Sequence, residues 1–357
     1  MTGGGKQDTT VSSRLNREIL ADFPKVELHR HLEGSFPAAR LYELSLKNKL
    51  PLPHDFGAFK KEIQFPEDSS PDFLTFLTKF KNDWYDSLED VSFITYHSVR
   101  ELARDGIFFI ELRFAPPFIS AGKELGNDEI IEAVLDGITR GMNRYPIQVG
   151  LIGILVRTMD LEINRLAAAE LNRYAGSRHR NADRICGFDL ANAEDRTDPE
   201  DFLPMVQQAR EAGLGITIHS GENTSAAAVR RTLDLFAPER IGHGINSWGD
   251  EALLKRIRDE EVMLEVCPTS NWLTSSVSSL EEHPLPHLYR SEIPVSINSD
   301  DPNLFGIDLV HEYQLCARLY GFTEADFMSI NRQTVEHSFL PRELRSEILR
   351  RHFPPAD

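Results

Sequence analysis

Five polar clusters each close a short apolar run: His29-Arg-His31, His219-Ser-Gly-Glu222, Gly242-His243-Gly244, Pro268-Thr-Ser-Asn271 and Asp300-Asp301. Imidazole nitrogens and carboxylate oxygens are the ligand set of a divalent metal of the zinc type. His29 and His31 are two apart, so on a strand both rings face one side. His219 adds a third nitrogen, and Asp300 an oxygen. Glu222 follows His219 across the small pair Ser220-Gly221, which lets its carboxyl turn back toward a pocket. A metal lowers the pKa of a held water toward about 7, and a neighbouring Glu can move its proton. His243, fixed between two glycines, can polarise an attacking oxygen. Asp301 beside Asp300 needs a cation or donors to separate two carboxylates.

Each motif alone has a plainer reading. His29 and His31 fit surface histidines at a strand end, and Glu222 fits the acidic first turn of a helix. His243 fits a packed strand histidine. Asp301 before Pro302 fits a helix start. Several ligand types gathered on strand ends favour a hydrolytic metal site over coincidence.

The elements that must position these groups are strands buried on both faces. Nearly continuous apolar, β-branched runs are expected to be parallel strands at 25–29, 107–114, 148–156, 185–190, 215–219, 240–243, 262–266 and 295–299. Between them 128–144, 199–212 and 224–236 show helical spacing. The alternation predicts an α/β fold, a (β/α)₈ TIM barrel of the metal-dependent hydrolase type. Barrels of this kind carry their chemistry at the strand C-terminal ends, where the five clusters lie.

An insertion over about 36–105 is longer than one crossover helix needs. In it Phe73, Phe76, Leu77, Phe80 and Trp84 recur at helical spacing. They fit an extra helix packed in the core, or an apolar lid over the substrate mouth. Thr323-Glu-Ala-Asp326 and Leu340-Pro-Arg-Glu343 read as starts of closing C-terminal helices. Residues 1–21 lack an apolar run and read as a disordered tail, leaving 22–357 as one domain.

Composition sets limits. The chain has 357 residues, 41% of them hydrophobic, enough for one decorated barrel. A formal net charge of -17 repels phosphate backbones, so neither nucleic acid nor an anionic membrane is expected as a partner. No run is long enough to span a membrane. Cys186, Cys267 and Cys316 have no CxxC spacing and read as reduced thiols in a cytoplasmic setting. Oligomeric state is left open.

The chain resembles the adenosine deaminase family of the amidohydrolase superfamily. The stretches that carry the resemblance are Val26-Glu-Leu-His-Arg-His-Leu-Glu-Gly34, His219-Ser-Gly-Glu222, Arg240-Ile-Gly-His-Gly244, Cys267-Pro-Thr-Ser-Asn271 and Asn298-Ser-Asp-Asp-Pro302. The resemblance implies hydrolytic deamination of a 6-aminopurine by a zinc-dependent barrel with one Zn2+ per chain. It implies that His29, His31, His219 and Asp300 bind the zinc. It implies catalytic roles for three residues: Glu222 passing a proton to N1, His243 orienting the hydroxide, and Asp301 holding it and contacting N7. Glu33 matches a ribose-binding acid, and Phe76, Leu77 and Phe80 match the family's lid. Gly221 is also placed at the substrate.

The family's usual Asp-Leu-Ala-Gly, whose Gly meets purine N3, here reads Asp189-Leu-Ala-Asn192, and Glu33 is longer than the common Asp. Adenosine or 2′-deoxyadenosine is the expected substrate. Adenine, an N6-modified adenine or adenosine, and 6-aminodeoxyfutalosine are the alternatives. A binuclear hydrolase commonly has a bridging Lys at a middle strand end, and 187–192 has none.

Overall fold

The computed structural model describes residues 15–175 and 184–354. Eight strands form a single parallel sheet in sequence order. They are β1 (Lys25–His31), β2 (Ile107–Phe114), β3 (Gln148–Val156), β4 (Ile185–Ala191), β5 (Gly215–Ser220), β6 (Arg240–His243), β7 (Met263–Val266) and β8 (Val295–Ile297). The TIM-barrel expectation holds, with strand ends moved by one or two residues.

Closure of the barrel falls on the site itself. The His31 N–H donates to the Asp300 carbonyl at 2.9 Å, and the Asp300 N–H to the His29 carbonyl at 3.2 Å. The side chain of Asn298 completes the seam. Its Oδ1 accepts from the Leu28 and His29 N–H groups at 3.0 and 3.1 Å, and its Nδ2 donates to the Val266 carbonyl at 3.1 Å. One amide thus replaces ladder bonds where a strand runs out.

Helices cover the outside, including Leu88–Arg104, Asn127–Arg144 and Leu161–Tyr174. The C-terminal helices Glu324–Glu336 and Arg342–His352 close the N-terminal end of the barrel. Between them Phe339 enters the barrel floor, where a Cβ at Gly215 would lie 2.1 Å from its ring. The Arg240 guanidinium stacks on that ring at 3.6 Å.

The N-terminal expectation needs correcting. Residues 1–14 lie outside the described residues, but Arg17–Asp22 form a helix within the stretch expected to be a tail. Asn16 caps it by accepting from the Ile19 N–H, and the Lys25 ammonium binds the carbonyls of Leu20 and Phe23 at 2.6 and 2.9 Å. Buried Leu20 and Phe23 anchor it to the core.

The insertion differs from one continuous helix. It holds Ala38–Lys47, Phe56–Ile63 and the short Phe73–Leu77 before the crossover helix Leu88–Arg104. The aromatic spacing runs on past Leu77, but the backbone does not. Asn82 binds the carbonyls of Phe118 and Ala121, which pulls the chain out of helical register. Phe76 and Phe80 pack with Leu273, Leu304 and Phe305, whereas Trp84 belongs to the main core against Phe59.

Candidate active site

Strand alternation puts His29 and His31 on one face at the mouth of the barrel, with ring centroids 5.5 Å apart. The His219 ring, from the end of β5, stands 4.6 Å from His29 and 5.3 Å from His31. Asp300 Oδ1 lies 3.3 Å from His29 Nε2 and 3.2 Å from His31 Nε2. The four residues expected to bind metal therefore converge on one point.

Behind them lies a buried polar layer that sequence patterns did not flag. His29 Nδ1 donates to Glu265 at 2.9 Å, and His219 Nδ1 to Asp189 at 2.9 Å. Both rings consequently turn an Nε2 lone pair toward the common point, as metal-binding histidines do. Arg113 joins the two carboxylates, at 2.8 Å to Asp189 and 2.7 Å to Glu265. All three side chains are fully buried. Asp189 and Glu265 sit inside strands that read as apolar runs, so only inward-facing charge could have marked them.

The donor set fits a cation. His29 Nε2 and Asp300 Oδ1 are buried polar atoms without a hydrogen-bond partner, and they face each other. Such atoms are costly unless something polar satisfies them. A second grouping, His29, His243, Cys267 and Asp300, is less suited. Burial pushes the Cys267 thiol well above its usual pKa, and its Sγ contacts the Glu265 carbonyl. A protonated thiol is a poor metal ligand.

The backbone is strained where the side chains converge. His243, Asp300 and Asn192 have φ of +61°, +60° and +77°, values that L-residues rarely adopt. Strain of this kind persists where surrounding contacts over-determine it. At Asp300 those contacts are the closure bonds to β1. At Asn192 the side chain accepts from the Ala193 N–H at 2.7 Å, a local bond that suits Asn to the left-handed region.

Glu222 follows β5 in a loop before the helix Ala226–Phe236, so it is not in that helix's first turn. Glu194 clamps this loop, accepting from the N–H groups of Gly221 and Glu222 at 2.8 and 2.9 Å. Glu222 Oε1 accepts from Thr274 Oγ1 at 2.9 Å, and Oε2 lies 3.7 Å from His243 Nε2. Burial, then the charges of Asp300 and Glu194, push the Glu222 carboxyl well above the usual carboxylate range. That shift favours its acid form, the form able to donate a proton. Burial, then the neighbouring His29, push His243 well down and keep it neutral.

Asp301 begins the short helix Pro302–Phe305 but makes no side-chain cap bond. It points to the cleft instead, where Gly34 makes room: a Cβ there would lie 1.7 Å from Asp301 Oδ1. Burial and the charge of Asp300 raise its pKa. The Glu33 carboxylate accepts from the Ala115 N–H at 2.8 Å, and burial lifts its pKa to about 7.

One cleft gathers His31, His219, Glu222, His243, Asp300, Asp301, Glu33 and Asn192. Phe73, Phe76, Leu77 and Phe80 of the insertion wall one side, and Phe118, Ile154 and Val156 the other. Gly221, expected at the substrate, is not part of this lining; its N–H serves Glu194, and its φ of +72° shapes the loop. No Lys or Arg lines the cleft among the described residues.

The profile of the adenosine deaminase family matches residues 24–352. The chain belongs to the adenosine deaminase family. It is a hydrolytic deaminase of the amidohydrolase superfamily. The adenosine deaminase of Pectobacterium atrosepticum is 34% identical over 337 residues, covering 92% of this chain and 97% of that one. Among solved structures, the adenine deaminase of Arthrobacter aurescens superposes with a TM-score of 0.80 at 26% identity, covering 91% of this chain and 96% of that one. The N6-mAMP deaminase of Arabidopsis gives a TM-score of 0.80 at 25% identity, covering 93% and 98%. The deaminase has no helix long and apolar enough to cross a membrane among the described residues.

Proposed function

We propose that this deaminase removes the 6-amino group of adenosine or 2′-deoxyadenosine, giving inosine or 2′-deoxyinosine and ammonia. The observation that carries the proposal is the convergence of buried Glu222, 3.7 Å from His243, with three histidines and Asp300 at one cleft. His29, His31, His219 and Asp300 would hold one zinc ion. Bound zinc supplies the Lewis acidity that activates water at neutral pH.

The chain's own residues do the rest. Glu222 delivers its proton to purine N1, which draws electron density from C6 and makes it electrophilic; addition of the oxygen at C6 then breaks the ring's aromaticity. His243 orients the attacking oxygen with its imidazole. Asp301 accepts from the attacking water and contacts N7. Glu33 binds a ribose hydroxyl, and the Asn192 N–H meets N3. Phe76, Leu77 and Phe80 cover the bound nucleoside and exclude water.

The empty charge balance of the cleft favours a nucleoside over a nucleotide. A 5′-phosphate would meet Glu33 with no cation lining the cleft among the described residues to offset it. The side chain at Asn192, where the family's glycine is usual, favours a second reading: adenine or an N6-substituted aminopurine. We infer further that the helix Arg17–Asp22 and the barrel act together as one catalytic domain in the cytoplasm. Three free cysteines support that compartment. The partner is the small aminopurine, with no nucleic acid or membrane expected.

Ammonia release by the zinc-loaded enzyme tests this. Adenosine, 2′-deoxyadenosine, adenine, an N6-methyl adenosine and 6-aminodeoxyfutalosine are compared side by side. Preference for the first two is expected. Silence on both, with turnover of another, gives the pocket to that aminopurine.

A further inference from the structure

Beyond the groups facing the cleft, a line of hydrogen bonds runs from His243 into the protein. His243 Nδ1 meets Asn271 Nδ2 at 3.0 Å. Asn271 Oδ1 meets His283 Nε2 at 3.2 Å. His283 Nδ1 accepts from the backbone N–H of Leu285 at 3.0 Å. His243, Asn271 and His283 are all buried.

The far end fixes the direction of the whole line. A backbone N–H only donates, so His283 Nδ1 carries a lone pair. A neutral imidazole then has its proton on Nε2. Burial, pushing His283 down to about 3, keeps it neutral. Its Nε2–H can only donate, so it must face the Asn271 oxygen. A flipped amide would set two donors against each other. Asn271 therefore turns its Nδ2–H to His243, whose Nδ1 must accept. The remaining proton of His243 sits on Nε2, the nitrogen 3.7 Å from Glu222 and facing the cleft. Orientation of an amide or a ring usually has to be assigned from its partners; here one backbone N–H determines three side chains in turn.

We propose that His283 and Asn271 are positioning residues that hold His243 as the Nε2–H tautomer. His243 then presents a fixed donor to the cleft rather than a proton acceptor. It stabilises negative charge on an incoming oxygen, and it leaves proton uptake to the carboxyls. The cost of reorienting it is met during folding rather than during turnover. This rests on the proposed placing of His243 at the reacting atoms, but the tautomer itself can be read without any substrate.

The test uses ¹⁵N-histidine-labelled, zinc-loaded enzyme. Protonated and lone-pair ring nitrogens differ widely in ¹⁵N shift, and the His243 signals are those absent from His243→Ala. Wild type should show a protonated Nε2 and a bare Nδ1. Asn271→Asp replaces the donor with an acceptor and should move the proton to Nδ1. It should lower kcat on the order of 10²-fold with KM nearly unchanged. His283→Leu should lower kcat about tenfold. His283→Gln, which keeps a donor toward Asn271, should recover most of that loss although both variants lose the same ring packing. A bare Nε2 in wild-type His243 overturns the proposal, even if neither Asn271 nor His283 variants fold. So does an Nε2–H signal unmoved in Asn271→Asp. Correct shifts in an enzyme silent on every aminopurine would leave the tautomer in place and sink only the deaminase reading of the substrate.

Discussion

Arg113 donates to Glu265 at 2.7 Å with neither side chain meeting solvent. The same guanidinium reaches Asp189, so one cation holds both carboxylates that orient His29 and His219. Burying charge is costly unless it is paired, and here the pairing is also what aims two metal-facing rings. Arg113→Met would leave buried Asp189 without its arginine, while Glu265 would keep Arg240, whose Nε lies 2.6 Å away. A stability loss of about 3–5 kcal/mol is expected by denaturant unfolding. Zinc affinity should fall roughly 10–100-fold in a chelator competition titration. Unchanged affinity would separate the arginine from the metal site.

Glu222→Gln keeps the shape of the side chain and its bond from Thr274 but removes the transferable proton. The fold and the metal content should be unaffected, while turnover falls by about 10²–10⁴-fold. The wild-type enzyme needs the acid form, whose pKa burial raises. Its kcat/KM should therefore fall on the alkaline side as Glu222 ionises, and the residual activity of the variant should lack that limb. Retained turnover in Glu222→Gln would remove the carboxyl from the chemistry.

Glu33 makes stability depend on pH. Its folded pKa of about 7 lies above the ordinary glutamate value of 4.5. Between those values the folded chain binds the extra proton, so stability falls as pH rises through this window. Above the folded pKa the loss is complete. Glu33→Gln keeps an acceptor for the Ala115 N–H and cannot ionise. It should flatten the decline seen in urea midpoints across pH 4.5–7.5. Parallel curves for the two proteins would show that Glu33 ionises as freely folded as unfolded.

Asn192→Gly replaces an L-residue at φ +77° with one that adopts that backbone without strain. It also clears the side chain from the cleft. The ratio of kcat/KM for adenosine over adenine should rise several-fold, because a hydrogen bond regained or lost is worth about 1 kcal/mol. An unaltered ratio would mean that the side chain stays folded onto Ala193 and does not select the substrate.

The sequence by itself determined the repeating units and the chemistry at their ends. Eight buried strands announce themselves as apolar β-branched runs because both faces are covered. His29 and His31 follow from strand alternation alone. His219, Glu222, His243, Asp300 and Asp301 were legible because polar clusters broke those runs at their C-terminal ends. Only the tertiary structure decided what stands behind them. Arg113, Asp189 and Glu265 come from three strands, and their pairing exists only once the barrel closes. Asn271 meets His243 across 28 residues of chain, and His283 meets Asn271 across 12. Glu194 reaches its loop across 27 residues. Local spacing is silent about such contacts. The helix expected through Trp84 failed for the same reason: aromatic periodicity describes which side chains are buried, while packing against other elements decides where the backbone turns.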